Sequence, residues 1–246
     1  MYYDQSSYPI RCEWGLKGIE ALASLSDVVV IVDVLSFTTS VEVGVSCGAC
    51  LLPFHHGMPF ETIEAYAREK NALTPAKTRV KEGGFSLSPV SIMKIEAGTR
   101  LVLPSINGST LTLTAAQYAH TIAGCLRNCE AVAAHAQTLG EKITVIACGE
   151  RWDDHKSLRP AIEDLIGAGA ILSYLKGERS PEAELAVAAF QSVRPDFMDT
   201  IQGCSSGREL IDRGFREDVE MATAFNVSRC VPVLREGMYV AAAGED

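Results

Sequence analysis

The chain has 246 residues, of which 47% are hydrophobic and 22% charged, and a formal net charge of −9. That length and balance suit a folded protein with its own core, and they exclude the low-hydrophobicity, high-charge signature of disorder. An acidic surface repels polyanions, so neither nucleic acid nor an anionic membrane is an expected partner; a small anion stays bindable wherever a cation or aimed N–H groups reverse the local field.

Residues 1–12 show no basic stretch followed by an apolar one, so no export signal is read there and the expected location is the cytoplasm. No apolar run approaches the roughly 20 residues needed to span a bilayer. Residues 27–35 (DVVVIVDVL) form a nearly continuous β-branched run, the pattern of a central strand buried on both faces. A helix over 38–48, a strand over 49–54 and a helix over 59–70 with proline in its first turn follow. A strand at 100–104 passes through Asn107-Gly108 into a helix at 109–118, and a strand at 121–124 precedes a helix at 128–139. Residues 142–148 (KITVIAC) read as a second deeply buried strand, with a long helix at 159–174 after it. Helices at 181–193, 205–213 and 218–225, then strands at 231–234 and 238–242, complete the chain. This alternation with short connections predicts a three-layer α/β/α fold around a mostly parallel or mixed sheet. We expect one domain over 1–246, or two closely packed lobes with the site between them.

Eight cysteines in a chain without an export signal read as reduced thiols. Cys47-Gly48-Ala49-Cys50 is formally a C-x-x-C, but no second pair completes a zinc site. Its place before Leu51-Leu52 suits cysteine as a small hydrophobe. Thiol redox chemistry through Cys47 and Cys50 is the rival reading of that pair.

In open α/β sheets, ligands gather beyond the carboxyl ends of the strands, and three such ends carry chemistry here. At the first, Asp33 is followed by Ser36, Thr38 and Thr39 at a helix start; a carboxylate so placed needs a cation, a donor or a metal to offset desolvation, or it only caps the helix. At the second, Ser105, Asn107, Gly108 and Ser109 lead into a helix whose free N–H groups and dipole suit an anion, although Asn-Gly is also an ordinary turn. The third delivers Glu150 and Arg151 at a strand tip, with Arg159, Glu163 and Asp164 shortly beyond. Clustered carboxylates repel one another unless something positive lies between them, and a hard divalent ion such as Mg²⁺ answers that need; the alternative for Glu163 and Asp164 is a solvated first turn. His55, His56 and His155 are read as bystanders, and Cys148 as packed rather than nucleophilic.

Taken in order, these segments resemble the 2-phosphosulfolactate phosphatase family. The resemblance runs through Val29-Val30-Ile31-Val32-Asp33-Val34-Leu35 with Thr38-Thr39, Gly83-Gly84-Phe85 with Leu87-Ser88-Pro89, and Asn107-Gly108-Ser109. It continues through Arg127-Asn128, Ala147-Cys148-Gly149-Glu150-Arg151-Trp152, and Arg159-Pro160-Ala161-Ile162-Glu163-Asp164 with Gly167-Ala168-Gly169-Ala170. Ser205-Ser206-Gly207-Arg208-Glu209-Leu210, Asp218-Val219 and Val231-Pro232 close it. The resemblance implies a Mg²⁺-dependent phosphatase acting on 2-phospho-3-sulfolactate, a three-carbon acid bearing carboxylate, sulfonate and phosphate. Carried over by position, Asp33, Glu150, Glu163 and Asp164 become the candidate metal ligands, with Asp33, Glu150 and Arg151 as catalytic candidates. Ser105, Asn107, Gly108 and Ser109 become the anion cradle, and with Ser36, Thr38 and Arg159 at the same strand ends they make up the candidate substrate-binding set.

The family commonly has arginine after Asp-Val-Leu, where this chain has Ser36 and then Phe37. A phosphatase of the same fold acting on another small phosphorylated acid is the alternative which that difference keeps open, and a non-catalytic anion-binding protein is the rival from another class. Oligomeric state is not legible, though α/β enzymes of this size often form a twofold homodimer.

Overall fold

In the computed structural model, which describes residues 2–152, 154 and 157–242, strand β1 (Ile10–Trp14) and helix α1 (Gly15–Leu22) come first. Next are β2 (Val28–Val32), α2 (Phe37–Ser46), β3 (Cys50–His55) and α3 (Phe60–Glu69). The short α4 (Pro89–Ile92), capped by the Ser88 side chain, precedes β4 (Arg100–Ser105), α5 (Gly108–Ala115), β5 (His120–Gly124), α6 (Cys129–Leu139) and β6 (Ile143–Ala147). A hairpin of β7 (Glu150–Arg151) and β8 (Leu158–Arg159) leads into α7 (Ile162–Tyr174). Helices α8 (Pro181–Val193), α9 (Phe197–Gly203), α10 (Ser205–Asp212) and α11 (Arg216–Ala222) follow, then strands β9 (Pro232–Arg235) and β10 (Met238–Ala241).

One eight-stranded sheet has the order β1-β6-β2-β5-β9-β10-β3-β4. β1, β6, β2 and β5 are mutually parallel, as are β3 and β4, while β9 and β10 enter between the two blocks by antiparallel pairing. Three successive antiparallel junctions turn β3 and β4 against the direction of β2. The sheet is therefore mixed, and its two parallel blocks are joined through the β9–β10 ribbon.

Period-two alternation builds the layers. In β2, Val28, Val30 and Val32 face the core shared with α6, α7 and α8, whereas Val29 and Ile31 face Ile19 of α1 and Leu111 and Ala115 of α5. β6 divides the same way, with Val145 and Ala147 on one side and Ile146 on the other. In the second block, Leu51, Leu101 and Leu103 pack against Phe37 and Val41 of α2, while Leu52 and Val102 meet Ile63 and Ala67 of α3. Helices thus cover both faces, which gives the α/β/α layering. Among the described residues no helix is long and apolar enough to cross a membrane.

The expected helix at 159–174 begins only at Ile162, because Pro160 lacks an N–H and Arg159 is drawn into the β8 pairing with Glu150. The chain also forms β1, α1, the β7–β8 hairpin and α9, which the apolar pattern did not announce.

Candidate active site

Alternation through β2 aims Asp33, the first residue past the strand, toward the α5 side of the sheet and Val34 toward the α7 side. Asp33 is 8% exposed, and its carboxylate is gripped by two helix starts: Oδ1 accepts the N–H of Phe37, first residue of α2, at 3.1 Å, and Oδ2 accepts that of Gly108, first residue of α5, at 3.2 Å. The anion held by the Asn107-Gly108 turn is thus the protein's own. A Cβ on Gly108 would lie 2.2 Å from the Phe37 ring and 2.8 Å from Asp33 Oδ2, so only glycine permits this approach.

On the other side, Asp164 in the first turn of α7 spans two loops. Its Oδ1 accepts the N–H of Val34 at 2.8 Å and its Oδ2 that of Gly149 at 2.9 Å. The helix comes close enough because Gly167 lies directly against Val32 and Val34, where a Cβ would stand 2.9 and 2.7 Å from their methyl groups. Glu163, 3% exposed, receives the Cys204 thiol at 3.4 Å. Glu150 Oε1 accepts from Asn107 Nδ2 at 3.1 Å and from the Arg151 N–H at 2.8 Å, and Arg151 Nε donates to Asn107 Oδ1 at 3.4 Å. Among the described residues none of these four carboxylates has a lysine or arginine as salt-bridge partner.

The electrostatics follow from that crowding. Burial pushes Asp33 up from 3.8 to about 7; the N–H groups of Phe37 and Gly108 oppose the rise, while the charges of Glu150 and Glu163 add to it. Burial, with Asp33 and Glu163 as like-charged neighbours, also holds Asp164 well above the carboxylate range. Cys148, buried and facing Asp33 and Asp164, is pushed far up by the same causes, against a nucleophilic role.

The structure thus brings Asp33, Asn107, Gly108, Glu150, Arg151, Glu163 and Asp164 into one electrostatic neighbourhood. The side chains of the other candidates make hydrogen bonds within the scaffold. Thr38 is fully buried and exchanges hydrogen bonds with the main chain of Asp33; Ser109, equally buried, donates to Leu103 O at 2.8 Å. Ser105 Oγ accepts the Gly108 N–H at 3.2 Å, and Arg159 reaches Ser206 Oγ at 3.3 Å. His55 and His56 are exposed, and His155 lies outside the described residues. All eight cysteines are free thiols. A cavity of about 590 Å³ lined by Asp27, Tyr118 and His120 opens at the starts of β2 and β5, the end opposite Asp33.

One participant escaped the sequence reading. Arg79, from the loop between α3 and α4, donates from Nη2 to Ser36 Oγ at 2.8 Å and pairs through Nε and Nη2 with Asp218 of α11 at 2.9 and 2.7 Å. A guanidinium therefore stands at the Ser36 turn, delivered from another segment. The signal available was slight: Arg79 is one of three basic residues, with Lys77 and Lys81, shortly before Gly83-Gly84-Phe85.

Fold and site together define an α/β protein with a buried acidic centre at its strand ends, flanked by helix N-termini and arginines. The chain belongs to the 2-phosphosulpholactate phosphatase family, whose profile it matches over residues 17–237. It is 34% identical over 155 residues to the 2-phosphosulfolactate phosphatase of Methanothermobacter thermautotrophicus, a match covering 63% of this chain and 64% of that protein. It is also 33% identical over 224 residues to a probable 2-phosphosulfolactate phosphatase of Carboxydothermus hydrogenoformans, covering 86% of this chain and 89% of the relative. The Methanocaldococcus jannaschii 2-phosphosulfolactate phosphatase is 27% identical over 219 residues, 85% of this chain and 90% of its own.

Proposed function

We propose that the chain is a Mg²⁺-dependent phosphatase that hydrolyses the phosphate monoester of 2-phospho-3-sulfolactate at the Asp33 centre. The observation that carries this reading is the convergence of Asp33, Glu150, Glu163 and Asp164, without a lysine or arginine bridge among the described residues, beside two helix N-termini. Four carboxylates would repel a multiply anionic substrate, so a divalent cation is what reconciles the site with such a ligand.

At most two of these carboxylates could ligate one ion at the same time. Among the described residues no three Asp, Glu, His or Cys side chains close into a cage. Hard oxygen donors without a cage suit Mg²⁺, which is commonly held by one or two carboxylates while waters and substrate oxygens fill the rest of its shell. Asp33, Glu150, Glu163 and Asp164 are the candidate ligands; when bound, Mg²⁺ supplies Lewis-acid neutralisation of the phosphoryl oxygens.

The chain's own groups divide the remaining work. Asp33, as the carboxylate not used on the metal and with a proton affinity near neutrality, takes the proton from the attacking water at its carboxylate oxygen. Arg151, steered by Asn107, faces the charge that develops on the transferring group, and Glu150 holds Asn107 from the other side. Thr38 and Ser109 fix the two turns, and Ser105 braces the Gly108 N–H. The test is phosphate release by the purified protein from phosphosulfolactate, phospholactate and phosphoglycolate, with Mg²⁺ and with EDTA. Metal-dependent turnover that favours phosphosulfolactate is expected; binding without turnover in saturating Mg²⁺ would instead mark a non-catalytic anion-binding protein.

A further inference from the structure

Arg79 is 12% exposed along its side chain, and two of its three nitrogens are accounted for. Nε and Nη2 both donate to Oδ2 of Asp218, Nη2 also donates to Ser36 Oγ, and the guanidinium lies 5.2 Å from the centre of the Phe215 ring. Nη1 meets no acceptor among the described residues, and it is not one of the buried unpartnered atoms, so that edge keeps access to solvent. Burial pulls the guanidinium down from its ordinary value while the Asp218 and Asp33 carboxylates pull it back up, which sets Arg79 in the field of the acidic centre.

Pinning the loop explains only half of this. Asp218 is fully buried and needs a cation, and Arg79 supplies it. The same loop is already tied to α11 by Ser88 Oγ donating to Asp218 Oδ1 at 2.6 Å and by the Lys81–Glu217 pair at 2.5 Å. A structural pin has no use for a planar donor edge left open at the turn that carries Asp33. An anion does: a guanidinium whose rotamer is fixed by a carboxylate, a hydroxyl and an aromatic face loses little freedom when it pairs with an oxyanion.

We propose that Arg79, with Ser36 beside it, binds the anionic group of the substrate that is not transferred, a sulfonate or carboxylate, through its Nη1 edge. The proposal rests on reading the Asp33 centre as a phosphatase site, and it assigns to the loop between α3 and α4 the discrimination among phosphorylated small acids.

The experiment compares the wild type with Arg79→Lys, which keeps the charge beside Asp218 but not the fork. Arg79→Gln serves as a second variant that also leaves Asp218 without a cation, and melting curves report the fold of each. The kcat/KM of Arg79→Lys on phosphosulfolactate is expected to fall about ten- to a hundredfold, chiefly through KM. The loss on glycerol 2-phosphate, which carries no second anionic group, should be smaller by about tenfold or more. A matching fall on phospholactate identifies the carboxylate as the partner, and a fall confined to phosphosulfolactate identifies the sulfonate. Equal losses on all three esters, or none, overturn the proposal. If the wild type turns over nothing, the phosphatase reading fails by itself and calorimetric titration with 3-sulfolactate decides Arg79: binding weakened in Arg79→Lys supports the role, and binding unchanged or absent in the wild type overturns it.

Discussion

The carboxylate of Asp164 accepts the main-chain N–H of Val34, the residue after Asp33, at 2.8 Å, so two buried acids 131 positions apart in sequence are clamped onto one turn. Burial raises both above the usual carboxylate range, Asp33 from 3.8 to about 7 with Glu150 and Glu163 adding to the rise, and Asp164 with Asp33 and Glu163 adding to it. The folded chain therefore keeps protons there that the unfolded chain has already released. For Asp33 the resulting contribution to stability is fully present below about 4 and is lost as pH rises through about 7, and for Asp164 the sign is the same. Metal-free protein should lose a few kcal/mol over that window, on the order set by about 1.4 kcal/mol for each pH step. A divalent ion favours the charged forms, so the rise in Tm caused by Mg²⁺ should be larger near pH 8 than near pH 5. Melting curves in EDTA and in Mg²⁺ at both values check this; an equal shift at both would mean that the two acids do not titrate as described.

Replacing Asp33, the proposed proton acceptor, or Glu150, which holds Asn107, should stop the chemistry and spare the fold. Asp33→Asn removes the proton acceptor and sets an amide NH₂ against one of two N–H donors, from Phe37 or Gly108. Glu150→Gln turns a carboxylate that holds Asn107 and Arg151 into a neutral amide. Each should lower kcat by about 100- to 1,000-fold or more, with stability changed by about 1–3 kcal/mol. Undiminished metal-dependent phosphate release in both variants would remove them from the site.

Legibility in the sequence followed the strength of local signals. β2 and β6 are largely β-branched stretches because both their faces are covered, and the candidate positions just beyond them, Asp33 and Glu150, could be picked out from the strand ends. β1 could not, since Arg11 and Glu13 interrupt its five residues; Arg11 is buried only because the carbonyls of Tyr8 and Leu25 receive its guanidinium. The β7–β8 hairpin has two residues per strand and no periodicity to detect. Arg79 and Asp218 lie 139 positions apart, and no spacing rule links them. The reversal of β3 and β4 relative to β2 is likewise a property of pairing at the β9–β10 ribbon, invisible in any one strand.

The Asn107-Gly108 turn gives a steric test independent of catalysis. Gly108→Ala forces a methyl group into the Phe37 ring and against Asp33 Oδ2, displacing the very N–H that holds the carboxylate. We expect a loss of about 1–3 kcal/mol in stability together with a sharp fall in activity. Gly203→Ala is the control, because nothing lies within 4 Å of the added atom there. Chemical denaturation of both variants measures the difference, and equal midpoints would show that the turn is looser than its contacts indicate.

Thiol chemistry at the C-x-x-C pair makes the last contrast. Cys47, at the end of α2, and Cys50, at the start of β3, are both half-buried, and the Cys47 thiol faces the Met93 carbonyl at 3.8 Å. Neither touches any residue of the acidic centre among the contacts of the described residues. Cys50→Ser and Cys47→Ser should therefore leave phosphate release within about twofold of the wild type, since surface-near substitutions away from the site change little. The same holds for treatment with a mild reductant. A Cys50→Ser variant that loses turnover while melting at the wild-type temperature would tie the pair to the reaction and reopen the redox reading.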